Sequence, residues 1–256
     1  MSKAQVSMGV VGTLGPDAIA AIASAAERAG LHALWVNDTP GGDSLAALRV
    51  AAEVTDRLWL ATGVIPFDRY SARDILTAAA DLPDDRLVLG VGSGQVAGPV
   101  LEAMREHVAE LKAGTRAIVV VGALGPRMRE LAAGHADGPL LSWLTPQVAA
   151  AQADRAHGFS PRAHVALYVR TALDDGGMPR LQAETERYSG FPKYAANFSR
   201  LGIAASATVM TPDDVDRRLP AYRAAVDEVV LRAMTDVDDL DAYVRFAERA
   251  GELAGR

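Results

Sequence analysis

Residues 58–67 read LWLATGVIPF, and the way this run ends decides how the chain is read. Its first part has the apolar content of a buried strand, yet Gly63 interrupts it and Pro66 follows where a strand hands over to a helix. Proline cannot donate to a strand ladder, and glycine within a strand marks a bend or a close approach of backbone. A strand is therefore expected over 58–64, with an end that does something other than pair.

Outward from this run the same alternation recurs: a short β-branched or apolar segment, a turn, then an alanine-rich stretch with helical spacing. Strands are expected at 6–12, 33–37, 58–64, 86–92, 117–123, 139–144, 164–171 and 228–234. Between them, 16–29 opens on Pro16 and closes on Gly30, 71–82 opens on a serine cap, and Thr145-Pro146 starts a helix closing near Gly158. Thr211-Pro212-Asp213-Asp214 caps another, with its acidic residues where the helix dipole favours them, and a last helix is expected over 237–253. Eight strand-helix units imply parallel strands, and 256 residues is close to the ~250 typical of a closed (β/α)8 TIM barrel. That fold, as one domain over 1–256, is the expectation, and an open doubly wound sheet is the alternative. The irregular part is a helical excursion at about 174–202, with helices at 180–189 and 194–201, placed to cover the top of the barrel.

Composition narrows the function. Apolar residues make up 50% and charged residues 23%, a globular balance, and the net charge of −6 argues against a nucleic-acid partner. No run is long enough for a membrane span, and the start MSKAQVSMGVVG does not read as a signal peptide. The absence of cysteine removes disulfides, thiolate metal sites and cysteine nucleophiles, so the expected compartment is the cytoplasm.

In this fold chemistry sits just after the strands. Those positions hold much glycine and few acids or bases: GVGSG at 90–94 and GALGP at 122–126 both open helices, where glycine serves either a tight turn or a ligand brought against backbone. Asp38 is either a cap for the next helix or a ligand contact. Arg170 and Arg232 point either to the rim or into the helix layer. His32, His107, His135, His157 and His164 form no constellation, and no metal site is expected. Many backbone donors with few titrating groups suit a bound cofactor that carries the chemistry itself.

The segments 26–67 (AERAGLHALWVNDTPGGDSLAALRVAAEVTDRLWLATGVIPF), 84–94 (DDRLVLGVGSG) and 119–146 (VVVGALGPRMRELAAGHADGPLLSWLTP) resemble, in order and spacing, the bacterial luciferase-like superfamily of flavin-dependent monooxygenases and coenzyme F420-dependent oxidoreductases. The resemblance implies a barrel that binds FMN or coenzyme F420 at its C-terminal rim. It implies a bulge with a non-prolyl cis peptide at Gly63-Val64 behind the ring system, and an acidic residue near the cofactor at Asp38. It further implies Gly92, Gly94 and Gln95 beside ring and tail, and a phosphate-side loop of Gly122, Ala123, Leu124, Gly125 and Pro126. Thr39 stands where many relatives carry histidine. The long segment that usually precedes the fifth strand is missing, since 101–115 leads directly to it.

The leading expectation is a cytoplasmic oxidoreductase that moves hydride to or from a small organic substrate, with Trp143 as a wall of the substrate pocket. Coenzyme F420 is favoured over FMN by the SWLTP and GALGP segments, by an alanine- and arginine-rich composition that suits that branch, and because deazaflavin hydride chemistry needs no oxygen pocket. The resemblance also makes a homodimer an expectation. The alternative is a vestigial luciferase-like barrel that binds flavin or no cofactor and has no turnover.

Overall fold

Strand and helix alternate in the computed structural model, which describes residues 4–94 and 98–255. The first half runs β1 (Gln5–Val11), α1 (Pro16–Arg28), β2 (Ala33–Asn37), α2 (Ser44–Glu53), β3 (Trp59–Thr62), β4 (Ile65–Pro66), α3 (Ala72–Ala79), β5 (Leu87–Gly92) and α4 (Val100–Gly114). The second runs β6 (Ile118–Gly122), α5 (Pro126–His135), β7 (Gly138–Ser142), α6 (Pro146–Phe159), β8 (Ala166–Thr171), α7 (Met178–Gly190), α8 (Pro192–Leu201), α9 (Val215–Arg223), β9 (Glu228–Ala233) and α10 (Leu240–Ala254). Every strand pairing is parallel, and β3 also pairs with β5, which closes the sheet. With β3 and β4 as two parts of one stave, the chain is a closed (β/α)8 barrel.

The third strand departs from the single run expected over 58–64. Ala61 pairs with Val88 and Ile65 with Val91, so four steps along this stave match three along β5, a bulge of one residue. The Gly63–Val64 peptide within it is cis. Gly63 N–H still bonds Val36 O at 2.9 Å, and the Thr62 hydroxyl and Gly90 backbone exchange bonds at 2.9 and 3.0 Å where the ladder is interrupted. Pro66, which has no N–H, ends the stave, and Phe67 donates to Gly92 O at 2.9 Å instead.

Alternation along the strands divides the core in two. One face of each strand packs under the helices, as with Met8, Val10, Leu34, Val36, Leu89 and Leu231. The other fills the lumen, where Trp35, Ala61, Val88, Val120, Tyr168 and Val230 form a separate cluster. Helix starts follow local chemistry. Ser71 and Asp74 form a reciprocal capping box for α3, and Thr145 accepts from Val148 N–H ahead of Pro146 in α6. Residues 115–117 alone join α4 to β6, whereas between β8 and β9 the chain adds α7 and α8, which pack with Trp143 and Met234 in a third apolar cluster. Among the described residues no helix is long and apolar enough to cross a membrane, and no acidic or histidine cluster could hold a metal ion.

Candidate functional site

The bulge aims Val64 into the mouth of the lumen. A Cβ at Gly92 would lie 2.6 Å from Val64 Cγ2, one at Gly122 would lie 3.2 Å from Val64 Cγ1, and one at Gly63 would lie 2.5 Å from the Tyr168 hydroxyl. Glycine at these positions lets Val64 and Tyr168 settle into a shallow apolar floor. Above it is a cavity of about 410 Å³, which is in the size range of small-molecule sites.

Of the residues singled out in the sequence, Asp38, Gly63, Val64, Gly92, Gly94, Gly122, Ala123 and Leu124 line this cavity. Gly94 holds a left-handed backbone, φ 57°, as the chain leaves β5. Asp38 lines the cavity, and its carboxylate accepts from the Ser44 hydroxyl at 2.9 Å and pairs with Arg69 at 2.5 Å, so it is not the cap considered for it. The cap of α2 itself is Asp43. Gly125 and Pro126 sit one step back and open α5, whose N-terminus has no side-chain cap. Gln95 lies outside the described residues.

Trp143 stands elsewhere than expected of a pocket wall. It is 1% exposed, has φ 58°, and packs with Ala172, Leu181 and Phe198 instead of lining the cavity. The Arg170 guanidinium lies 4.2 Å over its ring and lines the cavity in its place.

Several lining residues carried no signal that was read from sequence. Asn37 donates to Gly63 O, and among the described residues its buried Oδ1 has no partner, nor does the buried Tyr168 Oη. Burial pushes the Tyr168 hydroxyl well above the usual phenol range, so it remains a neutral group. Tyr188, Lys193 and Tyr194 come from α7 and α8, so the segment after β8 supplies one wall. Arg170 donates to Glu184 at 3.0 Å and to Ser142 at 2.6 Å. Burial alone would raise the Glu184 carboxyl, but Arg170 and Arg232 outweigh it and hold it below its ordinary value. Strand alternation was the available signal: Tyr168 and Arg170 share one face of β8, and Val230 and Arg232 share one face of β9.

Beside the loop 122–126, Arg129 donates to Leu124 O at 2.7 Å. Burial, then Arg200 and Arg155, lower its guanidinium to about 10. Among the described residues no histidine lines the cavity above Val64. His32, His157 and His164 border a cavity of about 500 Å³ at the opposite mouth, around Glu228.

Comparison with known proteins agrees with this geometry. The family model described as luciferase-like monooxygenase matches residues 1–101. No curated protein sequence matches the chain. Among solved structures, an F420-dependent secondary alcohol dehydrogenase in complex with an F420-acetone adduct superposes with a TM-score of 0.78 at 13% identity, over 100% of both chains. The coenzyme F420-dependent tetrahydromethanopterin reductase of Methanopyrus kandleri gives 0.69 at 16% identity, over 98% of both. The EDTA monooxygenase of Chelativorans sp. BNC1 gives 0.71 at 11% identity, over 99% of this chain and 94% of that one. The resemblance to the luciferase-like superfamily is thus borne out: the first 101 residues match its family model, and the whole chain takes the fold of these solved enzymes.

Proposed function

We propose that this protein is an oxidoreductase that holds a flavin-type cofactor, coenzyme F420 in preference to FMN, over the Val64 floor and serves hydride transfer to or from a small organic substrate. The observation that carries the reading is that floor: three strand-end glycines clear the space for Val64 and Tyr168 beneath one cavity of about 410 Å³. The residues fit a ring with polar edges. The floor is apolar and poor in side chains, and two buried polar atoms, Asn37 Oδ1 and Tyr168 Oη, border it with no partner among the described residues. Buried polar groups are ordinarily satisfied, and such exceptions mark places where a ligand completes the bonding.

When bound, such a cofactor supplies a two-electron hydride donor or acceptor. This chain's residues do the rest. Val64 backs one face of the ring, and Asn37, anchored through Gly63 O, presents an acceptor at its edge. Tyr188 and Tyr194 shield the cavity from one side. The free N-terminus of α5 and Arg129, with Arg155 and Arg200 near it, favour an anionic tail at the loop 122–126. In the reducing direction a substrate carbon gains hydride and its heteroatom a proton; in the oxidising direction both leave. Likeness to the F420-dependent dehydrogenase and reductase supports the deazaflavin.

Calorimetric titration of the purified protein with FMN and with oxidised and reduced coenzyme F420 tests the proposal. Binding tighter than millimolar, strongest for F420, is the expected result. If neither binds at that level, the oxidoreductase reading is abandoned and the vestigial one stands.

A further inference from the structure

Arg170 and Arg232 are register partners on β8 and β9, and both face the barrel mouth. Like charges on adjacent strand positions repel. Arg170 is secured by Glu184 and Ser142 and by the rings of Trp143 and Tyr188 at 4.2 and 5.0 Å. Arg232 is not secured in this way. It is only 7% exposed, its guanidinium donates to Ala233 O at 2.7 Å, and among the described residues no carboxylate lies within 4 Å of it. Glu184 and Asp238 feel its charge, but they are paired with Arg170 at 3.0 Å and with Arg180 at 2.5 Å, so a buried guanidinium with spare N–H groups is left to receive an anion.

The space for that anion is present. A cavity of about 460 Å³ is bordered by Arg170, Arg180, Arg187 and Arg232 against Glu184 and Asp238, four positive charges and two negative, an excess of two. This excess sits in a chain whose net charge is −6. Val11 and Ala183 add apolar surface for a carbon skeleton. The cavity shares Asn37, Thr39, Arg170 and Tyr188 with the one above the Val64 floor, so the two adjoin. The loop 122–126 follows β6, which β7 separates from β8, so a cofactor tail there and an anion at Arg232 occupy different arcs of the rim.

We infer that Arg232, with Arg170 beside it, binds the carboxylate of the substrate, making the substrate class small organic carboxylates whose reacting carbon extends toward the Val64 floor. The planar guanidinium fork matches a carboxylate in two parallel bonds and holds it as a handle that takes no part in the hydride step. This inference rests on the oxidoreductase reading for the word substrate, but the anion site can be measured without cofactor.

The probes are succinate and benzoate, their neutral amides succinamide and benzamide, and inorganic phosphate, each titrated calorimetrically at low salt into the full-length protein. Both carboxylates are expected to bind, their amides at least tenfold more weakly, and Arg232→Gln to weaken the carboxylates by about 10- to 100-fold, the worth of one charged hydrogen-bonded contact. Arg245→Gln, on exposed α10 surface, is expected to leave binding unchanged. Should Arg232→Gln not fold, Arg187→Gln, expected to weaken carboxylates several-fold, takes its place beside the carboxylate-to-amide ratio. Amides binding as well as acids, a folded Arg232→Gln binding as wild type, or phosphate binding more tightly than either carboxylate would overturn the assignment. Cofactor titration on the same preparation separates the two ideas. Cofactor binding without carboxylate binding removes only this inference; carboxylate binding without cofactor removes only the oxidoreductase reading.

Discussion

Val64 meets Gly92 across the barrel mouth at a distance that leaves no room for a methyl group. An alanine there would bring its Cβ to 2.6 Å from Val64 Cγ2, and Val64 would have to leave the floor. Gly92→Ala is therefore expected to cost about 1–3 kcal/mol in thermal or denaturant unfolding, the usual range for overpacking, and to abolish the cofactor binding proposed above. Gly134 is the counter-case: it lies in α5 with nothing within 4 Å of an added Cβ. Gly134→Ala should stabilise by roughly 0.5–1 kcal/mol and leave binding unchanged. Equal effects from the two substitutions would show that Gly92 is a turn residue and no part of a floor. The contrast also marks what was legible at this scale. Glycine at strand ends was visible in the sequence, but the side chain opposite each one was not, because Val64 reaches Gly92 only through a register between separate strands.

Element boundaries were read well where the signal is local. Pro16, Ser71 and Pro146 start helices by their own chemistry, and α1, α3 and α6 begin at or beside them. The third stave was read as one run because a bulge is a property of two strands: the extra residue exists only relative to β5. Composition alone does not orient Arg170, but its spacing from Tyr168 puts both on the lumen face. At the same scale α7 and α8 are held to the barrel largely by aromatic contacts. Tyr188 lies 4.8 Å from both Trp143 and Tyr194, 5.3 Å from Phe191, and under the Arg170 guanidinium. Tyr188→Ala should cost about 2 kcal/mol, less than a fully buried aromatic because Tyr188 is half-buried. Hydrogen exchange should quicken in α7 and α8 and stay slow in the strands. Equal loss of protection in β8 and β9 would show that the excursion is integral to the barrel and is not a separate wall.

Across the whole molecule the lumen carries opposite charges at its two ends, with Glu228 at the N-terminal mouth of the strands and Arg170 and Arg232 at the C-terminal one. Glu228 is fully buried and accepts from the Ser7 hydroxyl at 2.5 Å, Trp35 Nε1 at 2.6 Å and His164 Nε2 at 2.8 Å. Burial alone would raise its carboxyl, but His164, then His32 and Ser7, hold it below the ordinary value. For His164 burial alone would lower the imidazole, yet the hydrogen bond and charge of Glu228, with Asp227, raise it above the ordinary 6.5. His32, also at this mouth, is lowered mainly by burial and is neutral near pH 7. The two coupled groups act in opposite directions. A depressed carboxyl adds stability above its unfolded value and loses it as pH falls through the folded one; a raised imidazole adds stability below 6.5 and loses it as pH rises through its folded value. The pair therefore stabilises most between the ordinary carboxylate value of 4.5 and 6.5. Glu228→Gln, which leaves His164 with only the Asp227 charge nearby, should cost about 3 kcal/mol at pH 6, the low end for breaking a buried pair because His164 is 28% exposed. That cost should shrink as pH rises past the raised His164 value, because the wild type then gives up its proton and its advantage. Denaturant unfolding of both proteins from pH 5 to 9 reads this directly. A difference between them that stays constant over the range would mean that His164 is neutral in the fold and that the network is held by Ser7 and Trp35 alone.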